Sequence, residues 1–263
     1  MSKKIIVENI EIELTEFTLV PEKGEDLLVL EVPAEFRKLL SNFPFVIEYN
    51  NQKFQKYFAY YYLKPGLSEK DLSVMWDYLA KDYDQHVNIT LNTAIYKIFK
   101  REINKLYPNG IKSVLDYGVG TGKFLLDVFK NTDIKLMGAD VSKEMCNITE
   151  QRGIATSIII DSKTNFPANS TIAICACYVI HLFGKDISPY KEWYRLLDLN
   201  GIIIFNHRNP VETVKEFFNH NDFIILYQEI LQNIGFKNVT TWLEKVDLGQ
   251  EQFKELWFTS ATK

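Results

Sequence analysis

The stretch Ser113-Val-Leu-Asp-Tyr-Gly-Val-Gly-Thr-Gly-Lys-Phe-Leu-Leu126 constrains this chain more than any other. A short apolar run ends in Asp116, glycines follow at 118, 120 and 122, and an apolar helical pattern begins at once. That order reads as a buried strand, a tight turn and a helix start, the arrangement that lets backbone approach a nucleotide-like ligand closely. A dinucleotide fingerprint needs Gly-x-Gly-x-x-Gly, whereas here the third glycine comes one residue early and position 123 is Lys. Asp116, immediately before the loop, would repel a pyrophosphate but attract a cation. The bland alternative is a strand-to-helix turn that binds nothing.

From residue 112 onward short apolar runs alternate with helical stretches: 113–116, 122–130, 134–139, 142–152, 156–160, 171–177, 188–198 and 201–206. Alternating strand and helix predicts an α/β fold, a Rossmann-like doubly wound sheet, mostly parallel, with helices on both faces. A helix over about 222–234 ending at Gly235, then strands at 239–243 and 256–261, predict an antiparallel C-terminal edge.

With these residues in view, the chain resembles the class I S-adenosylmethionine-dependent methyltransferases, whose first motif is a strand ending in an acid followed by Gly-x-Gly-x-Gly. Lys135-Leu-Met-Gly-Ala-Asp-Val-Ser142 resembles the second strand of that family. The resemblance makes Asp140 the acid for the ribose hydroxyls, about 20 residues after the loop, with Val141 beside it and Ser142 as a helix cap. Ile158-Ile-Ile-Asp161 with Asn165-Phe-Pro167 resembles the third strand and its turn, where Asp161 or its neighbour Ser162 reaches the adenine. Ala173–Phe183 looks like the fourth strand, with Cys177 among the cofactor contacts, although Ile172 stands where many members have Asp. Trp193–Phe205, with its Asn200-Gly201 turn, looks like the fifth strand and the helix before it. Trp76–Asp84 resembles the lid helix, in which Tyr83 closes over the methionine part. The resemblance spans about residues 75–261 and implies S-adenosylmethionine as cofactor, S-adenosylhomocysteine as product, and cofactor contacts from Tyr83, Asp116, Gly118, Gly120, Gly122, Asp140, Val141, Asp161, Ser162 and Cys177.

Methyl transfer is an in-line displacement, so proximity and alignment supply much of the catalysis, and a base is needed only when the acceptor carries a proton. Candidate acceptor-side residues are His181 and His207, each just beyond a strand's C-terminal end, and Tyr178 on the fourth strand. The alternative for each histidine is a hydrogen-bonded structural role. Cys175 and Cys177 share one strand face and read as core packing rather than as nucleophiles.

The first 65 residues lie outside the resemblance. They are rich in extended segments (5–14, 27–32, 45–49 and 54–63), and Lys64-Pro-Gly66 marks a boundary. The expected organisation is a β-rich accessory module over 1–65, acting as a substrate cap or dimer contact, and a methyltransferase domain over 66–263 that includes lid helices within 68–106. The aromatic run Tyr57–Tyr62 reads as interface or core filling before it reads as a substrate cap. Thirty basic against 34 acidic residues, a formal charge of -4 and no basic tract argue against nucleic acid as the main partner. Ala176-Cys-Tyr-Val179 stands where amino-methylating DNA enzymes carry an Asp/Asn-Pro-Pro-aromatic tetrad. A small-molecule O or N acceptor is therefore expected, against the alternatives of a peptide or protein acceptor and a non-catalytic cofactor-binding module. Three cysteines without paired spacing predict neither disulfides nor a metal site. The absence of a signal-length or spanning apolar run predicts a cytoplasmic protein without membrane contact.

Overall fold

The computed structural model describes residues 4–7, 9–19, 27–33, 35–36, 39, 42–44, 46–49, 52–57, 60–64, 69–87, 89–130, 132–183, 186–207, 220–249 and 252–263. Backbone contacts divide the chain into two compact units, Met1–Val87 and Asn88–Lys263.

The first unit opens with a hairpin of β1 (Lys4–Val7) and β2 (Ile10–Glu13). A five-stranded antiparallel sheet follows, built from β3 (Thr15–Leu19), β4 (Leu27–Glu31), β5 (Val46–Tyr49), β6 (Gln52–Tyr57) and β7 (Tyr60–Lys64), in the order β3-β4-β7-β6-β5. The single strand expected over 54–63 is two strands: the chain reverses between Tyr57 and Tyr60, which pair with each other. Aromatics at 57, 58, 60, 61 and 62 run through this reversal without a glycine or proline to mark it, so the sequence alone does not reveal it. Two helices, α1 (Glu69–Ala80) and α2 (Tyr83–His86), complete the unit where one continuous helix was expected. The break comes where Asp82 N–H bonds back to the Leu79 carbonyl. Both helices fall on the N-terminal side of the contact boundary, although the sequence groups them with the later part of the chain.

The second unit begins with α3 (Ile89–Leu106), whose buried stripe is Leu91, Ile95, Tyr96, Ile98, Phe99 and Ile103. Then come β8 (Ser113–Tyr117), α4 (Lys123–Phe129), β9 (Lys135–Asp140), α5 (Lys143–Gln151), β10 (Ala155–Ile158) and β11 (Thr171–Ala176). The chain continues through α6 (Ser188–Leu196), β12 (Leu197–His207), α7 (His220–Ile234), β13 (Lys237–Gly249) and β14 (Gln252–Thr262). These strands form one seven-stranded sheet in the order β10-β9-β8-β11-β12-β14-β13. Strands β8 to β12 run parallel, and β14 joins β12 antiparallel, as expected of a doubly wound sheet with an antiparallel edge. The last two strands are longer than their apolar segments. Charged Glu244, Lys245 and Asp247 flank the buried Val246 in the extension, and Lys245 Nζ sits 4.1 Å from the centre of the Phe253 ring. A reading based on buried apolar runs finds only the inner half of such a hairpin.

The sheet is packed on both faces. On one, Trp193 of α6 is fully buried among Tyr117, Phe183, Tyr190 and Phe205, all with ring centres within 5.7 Å of its own. On the other, α3 presents Tyr96 and Phe99 to Phe124 and Phe258, and Arg101 grips Glu244 of β13 in a bidentate pair at 3.0 and 2.8 Å. Among the described residues, no helix is long and apolar enough to cross a membrane, and no three of His, Cys, Asp or Glu cluster as a metal site. Trp193→Ala should lower unfolding stability by about 3–5 kcal/mol, the scale of emptying a large aromatic site, as read from the urea midpoint at unchanged slope.

Candidate cofactor site

The order β10-β9-β8-β11-β12 places β8 at the point where the chain reverses its direction of travel across the sheet, the place where open α/β sheets form a crevice at the strands' C-terminal ends. The glycine loop leaves β8 there. Gly118 and Val119 donate their N–H groups to the Ala139 carbonyl at 2.7 and 3.0 Å, drawing the loop onto the end of β9. Gly118 has φ +85, and a Cβ on it would lie 2.3 Å from Val179 Cγ2, so only glycine fits. Gly122, with φ +71, precedes α4, and a Cβ there would press on Thr149 of α5 at 2.9 Å. The loop is also fastened from α5: Thr149 Oγ1 donates to the Gly120 carbonyl at 2.8 Å, and Arg152 donates to that of Thr121 at 2.8 Å.

Asp140 joins the loop to the next strand. One carboxylate oxygen accepts the Gly120 N–H at 2.9 Å and the other accepts the Ser142 N–H at 3.0 Å. A carboxylate has about four acceptor positions, and these two backbone bonds fix its orientation at the end of the strand. Ser142 caps α5, its Oγ accepting from Met145 N–H at 3.0 Å. Val141 is half-buried against the Trp193 core.

Asp116 is fully buried at the end of β8, beside its register partner Cys175 on β11. The Tyr96 hydroxyl of α3 donates to Oδ2, while Oδ1 has no hydrogen-bond partner. Burial pushes the carboxyl up to about 8, helped by the charge of Asp140 and opposed by the bond from Tyr96. A buried acceptor without a donor is uncommon, and a ligand carrying positive charge beside the glycine loop fits it. The half-buried Cys177 continues the same strand face, and its thiol is pushed up by burial and then by the charge of Asp116.

Strain gathers at the same end of the sheet. Seven described non-glycine residues have positive φ; four are asparagines, which tolerate that region, and the other three are Asp161, Ser162 and Tyr178. Asp161 and Ser162 form a two-residue turn closed by reciprocal bonds between Ile160 and Lys163, both 3.0 Å. Ser162 is held by Tyr117, whose hydroxyl donates to its carbonyl at 3.1 Å, and its Oγ donates to Asp186 at 3.3 Å. Tyr178 is fixed by its N–H, which donates to Asn206 Oδ1 at 3.0 Å.

The structure thus gathers Asp116, Gly118, Gly120, Gly122, Asp140, Val141, Asp161, Ser162, Cys177 and Tyr178 at one end of the sheet. His207 is buried on the other face, its Nε2 3.2 Å from Thr259 Oγ1 and its ring 5.3 Å from that of Tyr227. His181 lies in the 3-10 turn Ile180–Leu182, with its side chain outside the described residues. Tyr83 belongs to the first unit, where its ring meets Trp76 edge-on at 5.8 Å. Sequence reasoning missed Tyr96 and Asn206. A hydroxyl on the otherwise apolar stripe of α3 was the available signal for the first; nothing local marks the second.

Residues 114–201 match the family described as a methyltransferase domain. A demethylmenaquinone methyltransferase of Bacteroides fragilis is 28% identical over 153 residues, which cover 54% of this chain and 62% of that enzyme, so less than two thirds of the relative's length is matched. A solved S-adenosylmethionine-dependent methyltransferase of Thermotoga maritima superimposes with a TM-score of 0.50 at 18% identity, over 72% of this chain and 100% of that one. The cyclase SpnF shares the fold with a TM-score of 0.51 at 16% identity, over 76% and 98%. With the acid-ended strand, the glycine loop and the second-strand acid at one end of the sheet, residues 114–201 form a methyltransferase domain on the fold shared with solved S-adenosylmethionine-dependent methyltransferases.

Proposed function

We propose that the protein transfers a methyl group from S-adenosylmethionine to an oxygen or nitrogen of a small molecule by direct in-line displacement. The observation that carries this reading is the Asp116–glycine loop–Asp140 arrangement, which pairs an acceptor for positive charge with an acceptor for a diol across one loop. The cofactor supplies, when bound, a methyl group made electrophilic by its sulfonium. The chain's residues bind and align. Asp140 holds the ribose hydroxyls, Asp116 the cationic amino-acid part, and the loop N–H groups border the path between them. Val141, Cys177 and the Asp161-Ser162 turn line the adenosine, and Tyr83 serves as the lid. Tyr178 and His181 are the acceptor-side candidates, Tyr178 because its strained backbone is held by Asn206 at the strand end. The packing of His207 against Tyr227 and Thr259 favours a structural role. Likeness to a demethylmenaquinone methyltransferase supports a small acceptor, as does the lack of a basic tract. The first 65 residues are the proposed substrate cap or dimer contact.

A cyclase shares this fold, so fold alone does not establish methyl transfer. Mass spectrometry of the native protein should reveal bound S-adenosylmethionine or S-adenosylhomocysteine, and incubation with candidate acceptors should give a product heavier by one methyl group. A bound cofactor without any methylated product would leave a binding module instead.

Two further outcomes are expected. Asp140→Ala should weaken S-adenosylhomocysteine binding by about 1.5–3 kcal/mol, the scale of charge-assisted hydrogen bonds; unchanged calorimetric affinity in the folded variant removes the ribose assignment. Because Asp116 titrates at about 8 and the cation favours its ionised form, affinity should rise with pH until about 8 and binding should release a proton below it. Asp116→Asn should remove that pH dependence.

A further inference from the structure

Tyr96 sits where α3 crosses the sheet. Its ring is 3% exposed, clamped between Phe99 edge-on at 5.6 Å and Phe124 stacked at 5.8 Å. Its hydroxyl is therefore delivered to Asp116 Oδ2 by a rigid support rather than by a mobile surface chain. The helix is anchored about one and a half turns onward by Arg101 to Glu244. A phenol on an apolar stripe would lose little by being phenylalanine if packing were its only task. Here it is the donor to a buried carboxylate whose other oxygen is unpartnered.

We propose that Tyr96 is a positioning residue of the cofactor site: its hydroxyl fixes the Asp116 carboxylate, leaves Oδ1 for the positively charged amino-acid part of S-adenosylmethionine, and favours the ionised carboxylate that this charge needs. The inference rests on the reading of Asp116 given above. The groups facing Asp116 are Tyr96 from α3, Cys175 from β11, Cys177 just after it, and Asp140 from β9. Asp140 opposes ionisation of Asp116 by like charge, and burial opposes it most, whereas the Tyr96 hydrogen bond favours it. The hydroxyl of Tyr96 is itself pushed well above the usual phenol range by burial and by Asp116, so it remains a donor. When the cation binds, the proton on Asp116 passes to buffer and the bond from Tyr96 strengthens as its acceptor becomes charged.

The test is calorimetric titration of the full chain with S-adenosylhomocysteine, whose ammonium is the probe charge, in buffers of different ionisation heat across the pH range around the Asp116 titration. Tyr96→Phe keeps the ring contacts and removes the donor. Affinity at neutral pH should fall about tenfold, the scale of one hydrogen bond to a charged group, and the midpoint of proton release should move to higher pH. Asp116→Asn reports what the ligand's own amino group contributes, and adding Tyr96→Phe to it should cost no further affinity, since the hydroxyl acts through the carboxylate. A fluorinated tyrosine at position 96, a stronger donor, should move the midpoint the other way. An unchanged midpoint in Tyr96→Phe, or the same loss of affinity in both backgrounds, overturns the inference and leaves Tyr96 as packing. Wild-type protein that takes up no S-adenosylhomocysteine overturns the cofactor reading, and the inference with it.

Discussion

A carboxyl group buried at the centre of a parallel sheet is the constraint around which this domain is arranged. Both faces of the sheet are covered, so Asp116 has no access to water and its ionised form is disfavoured. In the folded chain it titrates at about 8, against roughly 4 for an exposed aspartate. Between those values the folded state holds a proton that the unfolded state does not, and stability falls as pH rises. The group is thus a liability for folding that a cation can relieve. Burial, the neighbouring Asp140 and the hydroxyl of Tyr96 set the size of that relief, so cofactor affinity and fold stability draw on one interaction.

The glycine loop shows the same economy. Asp140, the proposed ribose ligand, is also the acceptor that ties the loop to the end of β9 through the Gly120 and Ser142 N–H groups. Thr149 and Arg152 hold the loop carbonyls from α5. The backbone is therefore held from three sides, and little ordering remains to be done on binding, which is what preorganisation requires. Substituting Asp140 therefore also loosens the support of the loop.

Most of this was legible before any coordinates. The loop spacing, the acid ending β8 and the acid ending β9 are local patterns, and each sits at one end of one sheet. Strand and helix alternation placed the parallel strands because a buried strand is a short apolar run between turns. What escaped was non-local or lacked an apolar signature. The reversal between Tyr57 and Tyr60 carries no glycine or proline within the run, and in the outer half of the β13–β14 hairpin charged residues interrupt the apolar ones. Tyr96 lies 20 residues before Asp116 and meets it only through the packing of α3. Asn206 of β12 acquires its partner, Tyr178, from the segment just after β11, 28 residues earlier in the chain. His207 looked like Tyr178 in sequence, as a residue at a strand end, yet one-residue alternation along β12 sends the His207 ring to Tyr227 on the opposite face from Asp116.

Acceptor chemistry is held by fewer groups than cofactor binding. At the start of β11 the half-buried Ile172 replaces a frequent carboxylate, which leaves the polar groups at the far end of the strand. There Tyr178 has a left-handed backbone, and its N–H donates to the side chain of the fully buried Asn206. A tyrosine in that region is strained by about 1–3 kcal/mol, and such strain persists only where neighbours enforce it. Asn206 does so with its carbonyl oxygen while its amide nitrogen has no partner, an arrangement poorer in hydrogen bonds than most buried asparagines. The sheet therefore forgoes local stability at the strand end where the acceptor-side residues are proposed. In a reaction governed by alignment, that is where a fixed backbone contributes most to rate.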